Sequence, residues 1–242
     1  MGTTGIIFRR EFNAYVRAPI GYIVGAVVLF LDGLLFFGYI LGADAQMLSG
    51  YVLSEFFYFA SGMTTIAAVV LSLRLIAEER QTGTQLLLDT SPVRDREIVL
   101  GKFLAALAFL SALNAATIYM PLLIMVNGKI TIGQIVAGYV GLTLIGGAVL
   151  AIGIFGSALS RSQLVAAVVT SVITSMFYLF WQISEAVEYP LSSFFSALAI
   201  HQRHFPGFQQ GICHLRDIVY YLSLTWFFLY LATRTMEAKR WE

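Results

Sequence analysis

The chain is divided into apolar runs long enough to cross a bilayer, and this limits the folds open to it more than any other feature. A helix rises 1.5 Å per residue, so about 20 apolar residues cross the hydrocarbon core. Six runs reach that size or approach it: residues 20–41, 56–76, 98–126, 134–158, 164–187 and 218–233. The last is short and is expected to continue past those bounds. Lipid offers no partner to unpaired backbone groups, which favours helices. The short alternating strands of a membrane barrel are missing from the sequence. The expected fold is therefore all-α, a polytopic membrane protein with six transmembrane helices in one domain, 1–242. Composition agrees: 58% of residues are hydrophobic and 12% charged, where a soluble domain carries about a quarter charged. A net charge of +1 gives no broad basic field, so nucleic acid is not an expected partner. The single cysteine, Cys213, excludes an intrachain disulfide and argues against a thiolate metal cage.

Lys and Arg set the expected orientation. With the N-terminus in the cytoplasm, twelve of the 15 Lys and Arg residues fall inside, leaving Lys129, Arg203 and Arg216 outside. Both termini are then cytoplasmic, as an even number of spans requires. The first apolar run outlasts a signal-peptide core and is expected to be an uncleaved span. The start MGTTGI lacks the Ser or Thr of a myristoylation signal. Ahead of Pro19, Phe8, Phe12, Tyr15 and Val16 recur at helical spacing among Arg9, Arg10, Glu11 and Asn13. That pattern predicts an amphipathic helix lying on the inner membrane face.

Between the second and third runs lies the one long charged stretch, AEERQTGTQLLLDTSPVRDREIVLGK, 77–102. Glu78, Glu79 and Arg80 are polar, and Gly83 permits a sharp turn. Thr84 can cap a short helix holding Gln85, Leu86, Leu87 and Leu88. Ser91-Pro92 ends it, since the residue before proline avoids helical geometry. Asp95 is expected to cap the third span. The loop 77–97 thus predicts a short helix with three leucines on the cytoplasmic side. Those leucines either dip into the membrane interface or fill a groove on a soluble partner.

This stretch resembles the loop between the second and third spans of type-2 ABC transporter permeases. Glu78, Glu79, Gly83, Thr84, Leu86, Leu87, Ser91, Pro92, Val93, Gly101 and Lys102 carry the likeness, while Gln85 stands where that family often has Glu. A second stretch, 204–242, resembles the gliding-motility (GldF-like) and nitrous-oxide-reductase-maturation (NosY-like) permeases through Phe208, Gly211, Asp217, Tyr220 and Arg240-Trp241. The resemblance implies a permease subunit of an ABC exporter in the bacterial or archaeal cytoplasmic (inner) membrane. It would work as a dimer, usually a homodimer, with two copies of an ABC ATPase subunit. The short helix would be a coupling helix seated in a cleft of the ATPase. ATP and Mg would belong to that partner and no cofactor to this chain. The sequence has no G-x-x-x-x-G-K-[ST] phosphate loop: Gly101-Lys102 and Gly128-Lys129 lack the upstream glycine. No catalytic residue is therefore expected here, and the coupling residues would be Glu78, Glu79, Arg80, Gly83, Thr84, Leu86, Leu87, Leu88 and Pro92.

Other features bear on the pathway. Asp32 is the one acid deep in a span; a charge there costs at least about 2.5 kcal/mol, so it should face protein or water, or be protonated. It is a candidate for the pathway or an interface. Gly21 and Gly25 form a small-xxx-small pair suited to close helix packing, within the chain or at a dimer seam, and the fourth span holds six further glycines. In the family the first and fifth spans line the dimer interface, which favours Gly21 and Gly25 for dimer packing. The 188–217 segment is too polar to span, and an interfacial or re-entrant helix pair broken at Pro206-Gly207 is expected outside. It offers a surface to a periplasmic or auxiliary membrane subunit, and suggests an alternative in which ATP-driven motion acts on such a partner without transport. His201, His204, Cys213 and His214 lie there, but their pattern favours polar loop residues over a metal site.

Overall fold

The computed structural model describes residues 2–38, 48–83 and 93–239, and every regular element among them is a helix. Helix α1 spans Thr3–Arg17 and α2 spans Pro19–Leu35. Ala18 between them is extended (φ −80°, ψ 144°), because a residue before proline avoids the helical region. Pro19 then opens α2 at the position where a missing N–H costs nothing.

Helix α3 (Ser49–Ser72) begins earlier than the apolar run suggested, since it takes in the half-buried Glu55. It breaks at residues 73–76, and α4 (Ala77–Gln81) resumes beyond a turn. Helices α5 (Asp95–Ala116) and α6 (Tyr119–Asn127) share the third apolar run. The break between them has a local cause. Pro121 has no N–H to offer the Thr117 carbonyl four residues back, and Met120 N donates to that carbonyl instead at 3.0 Å. The N-terminus of α5 departs from expectation: the helix has already begun at Asp95, and the Glu97 carboxylate reaches back to accept from Arg94 N at 3.2 Å.

Helix α7 (Ile132–Leu159) opens on a reciprocal cap. Thr131 Oγ1 accepts from Gln134 N at 3.4 Å, and Gln134 Oε1 accepts from Thr131 N at 2.8 Å. Helix α8 covers Gln163–Ala186, α9 Leu191–Leu198, α10 Pro206–Gln209 and α11 Leu215–Lys239. Among the described residues five stretches are long and apolar enough to cross a membrane: Pro19–Gly38, Ser49–Gln81, Asp95–Val126, Ile132–Leu159 and Gln163–Ala186. Helix α11 has 25 residues, with Arg216, Asp217, Arg234, Glu237 and Lys239 towards its ends.

Helix α7 is the axis of the bundle, packed on α3, α5, α8, α10 and α11. Residues Ala148 through Ile152 are wholly buried. Its glycines serve different neighbours. A Cβ on Gly141 would lie 2.6 Å from Phe208 of α10, and one on Gly146 would lie 2.8 Å from Leu110 of α5. On Gly153 it would collide with Ser72 of α3, and on Gly156 with Thr170 of α8. Small residues let these helices close without a hydrophobic drive from lipid.

At one end of the bundle, α9, α10 and the turns around them fold against α3, α7 and α8. Pro206 sits at the first position of α10, so it begins a helix where the sequence suggested an interruption. His201 and His204 are buried at 5% and 4% exposure. Ser61 Oγ donates to Tyr58 O at 2.7 Å and lies 2.8 Å from His201 Nε2. With its one proton so used, Ser61 accepts from that ring nitrogen. Burial lowers the His201 pKa to about 4, against a hydrogen bond with Gln202 that raises it. His204 stacks on Tyr220 at 3.9 Å between centroids, and both its nitrogens face acceptors: Asp217 Oδ1 at 2.7 Å and Ala197 O at 3.2 Å. Gly211 turns with φ +83° against Gln134.

Candidate functional site

The opposite end carries α1, the close of α4, the start of α5, and the C-termini of α7 and α11. There two acids and two bases alternate. Arg10 Nη2 contacts Glu11 Oε1 at 2.5 Å and Glu79 Oε1 at 3.0 Å. Lys102 Nζ contacts the same two oxygens at 3.2 and 2.8 Å. Lys102 is only 2% exposed, while Glu11 and Glu79 retain 16% and 15%. A buried cation of this kind needs its anions, because removing one partner leaves an uncompensated charge. Burial alone would raise the Glu11 pKa, but the Lys102 charge and the Arg10 hydrogen bond outweigh it and hold the carboxyl below its ordinary 4.5.

Gly101 explains how α1 approaches. A Cβ there would lie 2.7 Å from Ile7 Cγ2 and 3.1 Å from Thr4 O, so only a glycine lets α1 lie flat on α5. Further along α1, the buried Tyr15 donates its hydroxyl to Leu71 O at 3.0 Å and stacks on Phe109 at 5.2 Å. Burial raises its pKa far above 10, which keeps it a donor. The Arg74 guanidinium lies 5.9 Å from the same ring and donates to Glu78 at 2.8 Å.

The C-terminus of α7 completes this collar. Ser157 Oγ accepts from Ile76 N at 3.1 Å and Ala77 N at 2.8 Å, and donates to Leu73 O at 3.2 Å. One hydroxyl thus stitches the break between α3 and α4. Arg80 donates to Ala158 O and to Ser160 O, and Lys239 donates to Ala158 O at 3.1 Å and Leu159 O at 2.8 Å. Cations at a helix C-terminus satisfy orphan carbonyls and oppose the negative end of the dipole.

Of the coupling residues read from the sequence, Glu78, Glu79, Arg80 and Gly83 lie in this collar, and Gly83 turns with φ +73°. Thr84, Leu86, Leu87, Leu88 and Pro92 lie outside the described residues. The collar also uses Arg10, Glu11 and Tyr15, read in the sequence only as parts of an amphipathic helix, and Ser157 and Lys239, which had no role there. Lys102 was seen only as half of a Gly-Lys pair. A lysine beside a long apolar run, with acids near the ends of two neighbouring helices, was the available signal.

Asp32 is buried at 6% exposure, and its carboxyl has no hydrogen-bond or ion-pair partner among the described residues. Gly21 and Gly25 pack inside the chain. A Cβ on Gly21 would strike the Tyr15 carbonyl and lie 3.4 Å from Phe109, and one on Gly25 would lie 3.1 Å from Leu113. Among the described residues no three His, Cys, Asp or Glu side chains gather to hold a metal. Between α3 and α8 runs a groove of about 490 Å³ with Thr65, Ser171, Thr174, Ser175 and Tyr178 in its walls.

Apolar helices packed about a buried axis, with charge collected at their ends, define a polytopic membrane protein. The profile of the ABC-2 family transporter protein family matches residues 6–232, and the chain belongs to that family. It is accordingly the membrane permease component of an ABC transporter and not the ATPase, which is a separate associate. Among curated proteins, none matches the chain.

Proposed function

We propose that this chain is the permease half of an ABC exporter in the cytoplasmic membrane of a bacterium or archaeon. Two copies, each with six spans including α11, pair with two ATPase subunits, which hold ATP and Mg. Both termini lie in the cytoplasm, α1 rests on the inner face, and residues 78–92 receive the ATPase. The observation that carries this reading is the attachment of Glu79 and Arg80. Through them the start of the coupling segment is tied to α1, α5 and the end of α7. A push on the segment therefore reaches several helices at once. The C-terminal likeness to the GldF-like and NosY-like permeases supports placing the chain near them. The buried Phe208, Asp217 and half-buried Tyr220 are among the residues that carry that likeness. Asp32 stands at the pathway or at a subunit interface, in keeping with its unpartnered burial. The groove between α3 and α8, mostly apolar with hydroxyls among its walls, would become part of a central pathway once a second copy closes it.

The test replaces Leu86, Leu87 and Leu88 with glutamate in the full chain. The expected result is a folded permease that no longer retains its ATPase through purification. Unaltered ATPase retention and activity would refute the coupling assignment. A second reading has its own support: Ser61, on the same helix that leads to Glu79, holds His201 of the outer segment. In that reading the motion is delivered to a periplasmic partner and nothing crosses. ATP turnover that requires such a partner, without substrate flux in proteoliposomes, would select it.

A further inference from the structure

Away from the collar's ion pairs, at the same end of the bundle, a cleft of about 470 Å³ opens between α5 and α11. Arg96, Val99 and Leu100 line one wall; Trp226, Leu229, Tyr230, Thr233, Arg234 and Glu237 line the other. Its floor is apolar, with Val99 at 1% and Leu229 at 9% exposure. Trp226, Tyr230 and Arg234 follow one another at four-residue spacing up one face of α11. Trp226 stacks on Tyr230 at 5.6 Å, and Arg234 lies 5.1 Å over the Tyr230 ring while donating to its hydroxyl at 3.1 Å. Arg234 also holds Glu237 at 2.9 Å. That pair is neutral, and across the cleft Arg96 has no acid partner among the described residues. The rim therefore carries one uncompensated positive charge. Below it a second hollow, lined by Leu222, Ser223, Trp226 and Phe227, continues the trough down α11.

We propose that this cleft binds an anionic glycerophospholipid of the adjoining leaflet, its phosphate between Arg96 and Arg234 and one acyl chain along Trp226 towards Leu222. Positive charge at the rim selects the phosphate, and the trough selects a lipid over a free anion. From Arg234 to Leu222 the helix climbs about 18 Å, slightly more than the ~15 Å depth of one leaflet's hydrocarbon. Aromatic rings between the charge and the apolar floor are suited to the headgroup level. A basic hollow between spanning helices is a recurrent setting for anionic headgroups. The inference rests on α11 being the sixth span.

Trp226 reports its own occupant. In the full chain with Trp181→Phe and Trp241→Phe, quenching is measured in vesicles carrying either brominated phosphatidylglycerol or brominated phosphatidylcholine. The expected result is a preference for phosphatidylglycerol of roughly fivefold or more, lost in Arg96→Gln/Arg234→Gln while phosphatidylcholine quenching persists and so certifies the fold. Equal quenching by both lipids in the parent chain overturns the proposal. Relief of phosphatidylglycerol quenching by inorganic phosphate in the buffer also overturns it, in favour of a free-anion site. If neither lipid quenches Trp226, α11 does not face the bilayer, and the span assignment falls together with the site.

Discussion

Lys102 concentrates the energetics of the collar in one side chain. It has lost nearly all its water, and among the described residues the anions that contact it belong to α1 and to the close of α4. Lys102→Met should lower the stability of the detergent-purified chain by about 3 kcal/mol, as expected when one partner of a buried pair is removed. Adding Glu11→Gln should recover part of this, since it takes away one stranded carboxylate. Paired thermal melts of the single and double variants check it. At the other end His201 makes stability depend on pH. Its folded value near 4 lies below the ordinary 6.5, so between those values the unfolded chain binds more protons and stability falls as pH drops. The expected loss is on the order of 1–3 kcal/mol from pH 6.5 to pH 4. His201→Asn should flatten that window in melts recorded across it.

At the scale of elements, Ser157 is the hinge pin of the second span. Without it Ile76 and Ala77 present two buried N–H groups with nothing to accept them. Ser157→Ala should cost about 1–3 kcal/mol, and should lower ATP-dependent turnover more than it lowers ATPase association, because α4 is then tied less tightly to α7, with Arg80 still holding its carbonyls. Comparing coupled turnover with co-purification separates the two effects. Elements were also where the sequence was most legible. The fourth and fifth apolar runs match helices α7 and α8 to within a residue or two. Proline and glycine marked the end of α1 and the turn at Gly83. The breaks inside the second and third apolar runs were hidden, because a run of leucine and alanine looks the same whether its helix is continuous or kinked. The backbone groups freed at the α3–α4 break are taken up by a serine about 80 residues away, and Pro121 was absorbed into the length count. The collar was half legible: Glu78 to Gly83 stood out as charge in an apolar chain, whereas Tyr15, Ser157 and Lys239 matter only through tertiary contacts. Gly21 and Gly25 were readable as a close-packing pair, but the identity of the surface they meet, Tyr15, Phe109 and Leu113, was not.

For the whole molecule the uneven coverage of the helices is informative. The apolar core of α7 is 72% buried, against 33% for α2 and 22% for α8. With Gly21 and Gly25 turned inward, the free face of α2 presents Tyr22, Ile23, Val27, Phe30 and Leu34. Helix α8 offers Leu164, Val168, Val172 and Leu179. A second copy pairing these faces would bury them without disturbing the collar. In a Cys213→Ser background, Ile23→Cys or Val172→Cys should cross-link into dimers in native membranes, whereas Leu222→Cys on α11 should not. Equal trapping at all three positions would point to random collision rather than a defined seam.

The grip of Lys239 on the carbonyls of Ala158 and Leu159 also imposes an order on synthesis. Arg80 is made long before the helix end it clasps, but that end is not fully sealed until residue 239 has left the ribosome. The nascent chain must therefore hold its inner helices together through some eighty residues of translation with the clasp still open. Lys239→Ala would leave α7 and α11 in place with that latch missing, a natural target for membrane proteases.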